Sequence, residues 1–205
     1  LLRRDIKNLA HIEKLAKFPD LLKILASRVS NLVNVAEIAR ESKLVDKTLH
    51  RYMALLETTF LIYLQQSWSV NIKQRFVKAP KMYMVDSGLL AYLLDINLEK
   101  ALSNNVLMGK IVENFVVSEL RKQVTWNKTI VQLYHFRTAG GEKVDVILED
   151  RSGNIIAIEI KASERISLDD FKGIKFLQDK MKDKFIMGIV LYAGTQQVAL
   201  ADNIY

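Results

Sequence analysis

Glu142-Lys143-Val144-Asp145-Val146-Ile147-Leu148-Glu149-Asp150-Arg151-Ser152-Gly153-Asn154-Ile155-Ile156-Ala157-Ile158-Glu159-Ile160-Lys161 is the stretch on which the fold turns. It reads as two strands joined by a turn. Val144 to Leu148 is apolar except for Asp145, Asp150 to Asn154 has turn chemistry, and Ile155 to Ile160 is an apolar run. Such a run fits a strand covered on both faces. It nevertheless carries Glu159 and, two residues on and so on the same face, Lys161. Charge is costly to bury unless something pairs with it. A carboxylate on one strand and an acid–base pair near the end of its neighbour converge on one small patch. That chemistry suits a hard divalent cation, which prefers oxygen ligands.

The flanking segments complete an α-β-β-β-α-β order. Upstream, Met108 to Lys122 reads as a helix with Ile111, Phe115, Ser118 and Lys122 near one stripe and Val112, Val116 and Leu120 beside it. Glu113 lies at the edge of that apolar band, and Glu119 points well away from it. Ile130 to Arg137 is a strand with Leu133, His135 and Arg137 on one face and Tyr134 and Phe136 on the other. Thr138-Ala139-Gly140-Gly141 makes the hairpin turn that follows. Downstream, Ser167 caps a helix carrying Leu168, Phe171, Ile174, Phe176, Leu177 and Met181. Phe185 to Tyr192 is a further buried strand, and Gln197 to Ala201 is expected to pair at an edge.

Asp145 followed by Glu159-x-Lys161 after a hairpin turn resembles the core signature of the PD-(D/E)XK nuclease superfamily. Gly109-Lys110-Ile111-Val112-Glu113 resembles the helical motif that contributes a further glutamate. Nearly the whole chain also resembles the C-terminal region attached to many bacterial and archaeal AAA-type ATPases, where a winged helix precedes a nuclease-like fold. The resemblance implies a restriction-endonuclease-like half that uses Mg²⁺ or Mn²⁺ for phosphodiester hydrolysis. Asp145 and Glu159 would be direct ligands, and Glu113 would act through water or orient the other groups. Lys161 would orient the attacking water or stabilise negative charge on the phosphate. One departure stands out. Related sequences have Glu-Val-Asp directly, whereas Lys143 intervenes here, adding a positive charge that would neutralise the site or bind phosphate. The plainer alternative makes Glu159 and Lys161 a surface pair, worth below about 1 kcal/mol, and Asp145 an exposed edge residue.

The first half reads as helical. Leu1 to Leu15 and Asp20 to Asn31 have helical spacing, with Pro19 at a helix start and Phe18 as its hydrophobic anchor. Arg3 and Arg4 are either solvated end charges or contacts to an upstream domain. Asn34 to Glu57 resembles a helix-turn-helix. Asn34 caps the first helix, Ser42 to Val45 turns, and Asp46 caps a second helix with Leu49, Tyr52, Met53 and Leu56 inward. Lys47, His50 and Arg51 then face outward as candidate DNA contacts; the alternative is a helix pair used for packing or protein contact. Phe60 to Leu64 and Lys81 to Val85 read as strands around a basic connector, Trp68 to Pro80, whose Lys73, Arg75 and Lys78 have the look of a DNA-contacting wing. Asp86-Ser87-Gly88 matches a motif of the ATPase-linked family, and its simplest role is an N-cap and turn. Polar Glu99 to Asn105 marks the expected boundary between a winged-helix-like unit, 1–103, and a nuclease-like unit, 104–205. The fold expected is therefore mixed α+β or α/β.

Composition narrows the chemistry. The 205 residues are 50% hydrophobic and 26% charged, as in ordinary soluble domains, and no apolar run approaches a membrane span. A net charge of +7 makes DNA a natural partner. The absence of cysteine removes disulfide frames and thiolate zinc sites and fits a cytoplasmic protein. His11, His50 and His135 are dispersed, and neither a Gly-x-Ser-x-Gly elbow nor a P-loop occurs. A chain opening on Leu1 reads as a fragment of a longer protein whose ATPase lies upstream. The expected function is a DNA-binding, metal-dependent, nuclease-like region. The rival is a non-catalytic regulatory or protein-interaction module that keeps the fold as scaffold. A transcription factor with a ligand-sensing second half ranks last.

Overall fold

Three helices followed by a strand pair open the computed structural model, which describes residues 17–205. The expected helix over 1–15, with Arg3, Arg4 and His11, lies outside the described residues. α1 (Phe18–Ser27) starts with proline in its first turn, where no helical N–H is lost. Its Phe18, Leu21, Leu22 and Leu25 pack against Ile38 of α2 (Val35–Ser42) and Leu49 and Leu56 of α3 (Asp46–Thr58). Asn34 caps α2, its side chain accepting from Glu37 N at 3.2 Å. Lys43, at φ 53°, turns the chain toward α3. The cap of α3 is Val45, with Asp46 inside the first turn. The expected Asp46 cap is displaced by one residue, and the acid still suits the positive end of the helix dipole.

β1 (Ile62–Gln65) pairs antiparallel with β2 (Lys81–Met84), placing Tyr63 opposite Tyr83 and Gln65 opposite Lys81. The connector between them is not an extended wing. It contains α4 (Ile72–Val77), started by Asn71, whose side chain accepts from Lys73 N. Asp86 caps α5 (Ser87–Leu93) as expected, at 2.5 Å from Leu89 N. After α6 (Leu98–Leu102), Asn104 caps α7 (Asn105–Trp126), which is longer at both ends than its apolar pattern indicates.

α7 leads into a four-stranded mixed sheet. β3 (Val131–Arg137), β4 (Lys143–Asp150) and β5 (Ile155–Ile160) are antiparallel neighbours, and β6 (Phe185–Leu191) lies parallel to β5. Ser167 and Asp170 form a capping box at a 3₁₀ turn, Leu168–Phe171, that runs into α8 (Lys172–Met181). The expected α-β-β-β-α-β order is present, in a mixed α+β chain. Isoleucines 155, 174 and leucine 177 belong to the core under α8, whereas Val117, Val146, Ile158 and Ile160 belong to the core under α7, with Tyr63 and Tyr83. The last pairing falls later than expected: Asn203 and Tyr205, not Gln197 to Ala201, bond to the backbone of Gly188 and Val190.

Two irregularities position the site. Tyr134 faces Ile147 and Phe136 faces Val144, so β4 carries one extra residue opposite His135. Bulges of this kind re-aim side chains. Here Asp145 and Val146 share the bulge, and His135 and Phe136 are both buried in place of the alternation expected. The second is a stitch between the halves: Ser67 bridges His135 in parallel, with Trp68 N donating to His135 O at 2.6 Å and His135 N to Gln66 O at 3.0 Å. No helix among the described residues is long and apolar enough to cross a membrane.

Candidate functional site

Strand alternation and the bulge together bring charge into the interior. Asp145 and Glu159 are each only 3% exposed, which rules out the surface-pair alternative. Asp145 Oδ2 accepts from Ile160 N at 3.1 Å, tying β4 to the end of β5. Glu113, one face of α7 inward, reaches the same region from above the sheet. Between Glu113 and Asp145 stands a residue that sequence reasoning missed. Lys81, the first residue of β2, donates to Glu113 Oε1 and to Asp145 Oδ1, both at 2.9 Å. Tyr83, two residues along β2 and so on the same face, donates its hydroxyl to Glu113 Oε1 at 2.6 Å. The available signal was a lysine and a tyrosine alternating with Met82 and Met84 in a strand read as one side of a wing.

A second group lies beside the first. Ile155 and Ala157 pack under α8 and Ile156, Ile158 and Ile160 under α7, so Glu159 and Lys161 leave β5 on the α8 side. Lys161 Nζ is 3.1 Å from Glu159 Oε1 and 3.2 Å from Asp170 Oδ1. The capping box thus also holds Asp170 against Lys161, a role not evident from its spacing. The intervening Lys143 is exposed and approaches Glu159 only to 3.9 Å, too far for a hydrogen bond. Glu159 Oε2 is buried with no hydrogen-bond partner.

These groups shift one another. Burial, and then the Asp145 charge, push Glu159 up to about 7 despite Lys161. Burial and Asp145 likewise raise Glu113, with Lys81 and Tyr83 pulling the other way. Burial alone would lower Lys81, but Asp145 and Glu113 outweigh it and hold the ammonium above its ordinary value. His135, facing Lys81 from behind the bulge, is pushed down to about 4, chiefly by burial and next by that ammonium. Its Nε2 lies 3.2 Å from Ala79 O. A protonated lysine between two carboxylates is therefore the stable arrangement.

The four residues expected at a metal centre fall into two pairs, Glu113 with Asp145 through Lys81 and Glu159 with Lys161, and the Asp145 charge acts on both Glu113 and Glu159. The donor chemistry fits a hard cation: buried carboxylate oxygens, one of them unpartnered. As arranged, though, no group of three or more acidic, histidine or cysteine side chains among the described residues is disposed to hold a metal. Lys81 already satisfies two of the three carboxylates.

The expected DNA contacts divide. Lys47, His50 and Arg51 are all exposed on α3, and Lys73 is exposed on α4. Lys78 Nζ donates to Arg137 O at 3.3 Å. Arg75 is turned inward, which is a correction. Its guanidinium forms a bidentate pair with Glu149, donates to Ser69 O and stacks 4.8 Å from the Tyr134 ring centroid. Glu149 also accepts from Trp68 Nε1 at 3.1 Å. The half-buried acid Glu149 on β4 makes a structural anchor of a residue that looked like part of a basic surface.

Two family models match this chain. Residues 1–100 match a domain of unknown function (DUF8612), and residues 108–205 match a domain of unknown function (DUF4143). The chain is 28% identical over 182 residues, or 88% of its length, to uncharacterized proteins of Mycobacterium bovis and Mycobacterium tuberculosis. It spans 39% of the length of those relatives. No solved structure matches.

Proposed function

We propose that this chain is the DNA-binding, nuclease-like part of an AAA-type ATPase, with a metal-dependent phosphodiester-hydrolysing centre at Glu113, Asp145, Glu159 and Lys161. One observation carries the reading. Buried acids on β4 and β5, Asp145 and Glu159, are close enough for the Asp145 charge to act on Glu159, whose Oε2 lacks a partner. Asp145 and Glu159 would hold Mg²⁺ or Mn²⁺, which when bound supplies Lewis-acid polarisation of a phosphodiester. Lys161, steered by Asp170, would stabilise negative charge on the phosphate. Lys47, His50 and Arg51 on α3 would contact DNA. The ATPase rests on the resemblance of the sequence alone.

Lys81 favours a second reading, the non-catalytic interaction module, because its ammonium already neutralises Glu113 and Asp145. Calorimetry with Mn²⁺, paired with cleavage of plasmid and single-stranded DNA by wild type and Glu159→Ala, separates the two. Binding and cleavage that vanish together in Glu159→Ala support the enzyme. If no folded form binds Mn²⁺, with or without Lys81, the metal reading is overturned and the module remains. DNA binding is tested on duplex by anisotropy. Lys47→Ala with Arg51→Ala should reduce the salt slope by about 2. Unchanged affinity would remove the α3 assignment.

A further inference from the structure

Lys81 belongs to the N-terminal half, yet its charge is spent in the centre of the other. We propose that Lys81 is the resident cation of the carboxylate centre, so that Asp145 accepts a divalent ion only when that ammonium withdraws. The inference rests on the metal-centre reading above and adds the device that controls it.

The ammonium is not a mobile surface charge that happens to lie nearby. Its side chain is 13% exposed, against 16% for Glu113 and 4% for Asp145. β2 delivers two donors from one face, Lys81 and Tyr83, to the same Glu113 oxygen. From β1, Gln65 sits opposite Lys81 and its Nε2 donates to Asp145 O at 3.4 Å. The strand is anchored to the helices behind it. Met82 is buried in the core of α1, α2 and α3, and its backbone bonds both Ser30 N, at 2.8 Å, and Asn31 O, at 3.1 Å. At its far end β2 is also tied to α7, Met84 N donating to Asn114 Oδ1 at 2.9 Å and Met84 O accepting from Ser118 Oγ at 3.2 Å, so the backbone that carries Lys81 is held on both sides. Withdrawal of the ammonium is therefore a change in the Lys81 side chain that gives up both carboxylates at once.

Charge makes the two cations mutually exclusive. Glu113 and Asp145 are satisfied by one ammonium, and a dication brought to Asp145 would meet that ammonium at close range. Conversely, removing Lys81 leaves two buried carboxylates without their counter-charge, a strongly unfavourable state that a hard divalent ion relieves. The same substitution should thus weaken the metal-free protein and tighten its hold on metal. A merely structural lysine would do only the first.

The test uses the full chain as wild type, Lys81→Met, and Lys81→Gln, the last keeping a neutral donor beside the carboxylates should the methionine variant fold poorly. Mn²⁺ affinity is read by calorimetry and melting temperature with and without Mn²⁺. The expected result is at least about tenfold tighter Mn²⁺ binding once Lys81 is gone, abolished again by Glu159→Ala. Mn²⁺ at about a hundred times Kd should raise the Tm of the Lys81-free protein by about 5 °C or more. Equal Mn²⁺ binding by wild type and the Lys81-free forms would overturn the inference and leave the metal centre standing. No binding by any folded form would overturn both.

Discussion

Replacing Glu159 by glutamine should change how stability depends on pH, not only its value. Burial and the Asp145 charge hold Glu159 up at about 7, against 4.5 for an ordinary glutamate. Between those values the folded state keeps a proton that the unfolded state releases, so this group's contribution falls as pH rises. The displacement is worth about 3 kcal/mol, at 1.36 kcal/mol for each pH unit. His135 acts in the opposite sense. Buried and near Lys81, it titrates at about 4 against an ordinary 6.5. The unfolded state takes up a proton that the folded state refuses, so this contribution rises with pH over that window, again by about 3 kcal/mol. In the wild type the two largely offset each other between about pH 4.5 and 6.5. Glu159→Gln removes one arm and leaves the His135 slope uncovered. Urea unfolding from pH 4 to 8, followed through buried Trp68, should show a variant that gains about 3 kcal/mol on wild type across the range. A constant difference between the two proteins at every pH would refute the assignment of Glu159 as a buried, proton-holding carboxylate.

Two further outcomes test the frame. Arg75→Ala should cost about 2–3 kcal/mol in urea unfolding, because it removes the counter-charge of half-buried Glu149 and leaves it only Trp68 Nε1; a loss below about 1 kcal/mol would return Arg75 to the solvent-facing set. Gly173→Ala should lower Tm by about 5 °C or more, since a Cβ there would stand 1.9 Å from Lys143 O and force α8 off β4. A variant as stable as wild type would mean that this close approach is not required.

Local pattern made the second half legible. Turn residues, apolar runs and helical spacing located α7, β3 to β6 and α8, and the placement of Asp145, Glu159 and Lys161 within strands singled out the candidate centre. What stayed hidden depended on tertiary pairing. Arg75 reads as basic surface until Glu149, 74 residues on, supplies its counter-charge. The β4 bulge depends on a register with β3 that no single strand declares. Lys81 looks like the edge of a strand until α7 and β4 arrive beside it. Asp46 shows the smaller kind of error, a boundary displaced by one residue where two neighbours can each begin a helix.

The long reach of Lys81 also has a consequence for how the chain comes together. Its contacts with Glu113 and Asp145 span 32 and 64 residues, and Gln65 meets Asp145 across 80. Each closes a large loop and repays that entropy only once both halves are in place. During synthesis β2 emerges well before β4, so Lys81 and Tyr83 must wait exposed until their acids appear. Cutting the chain within the α6–α7 junction would strand charges on both fragments. The ionic centre should therefore form late in folding, and its formation should mark the point at which two locally ordered halves become one cooperative unit.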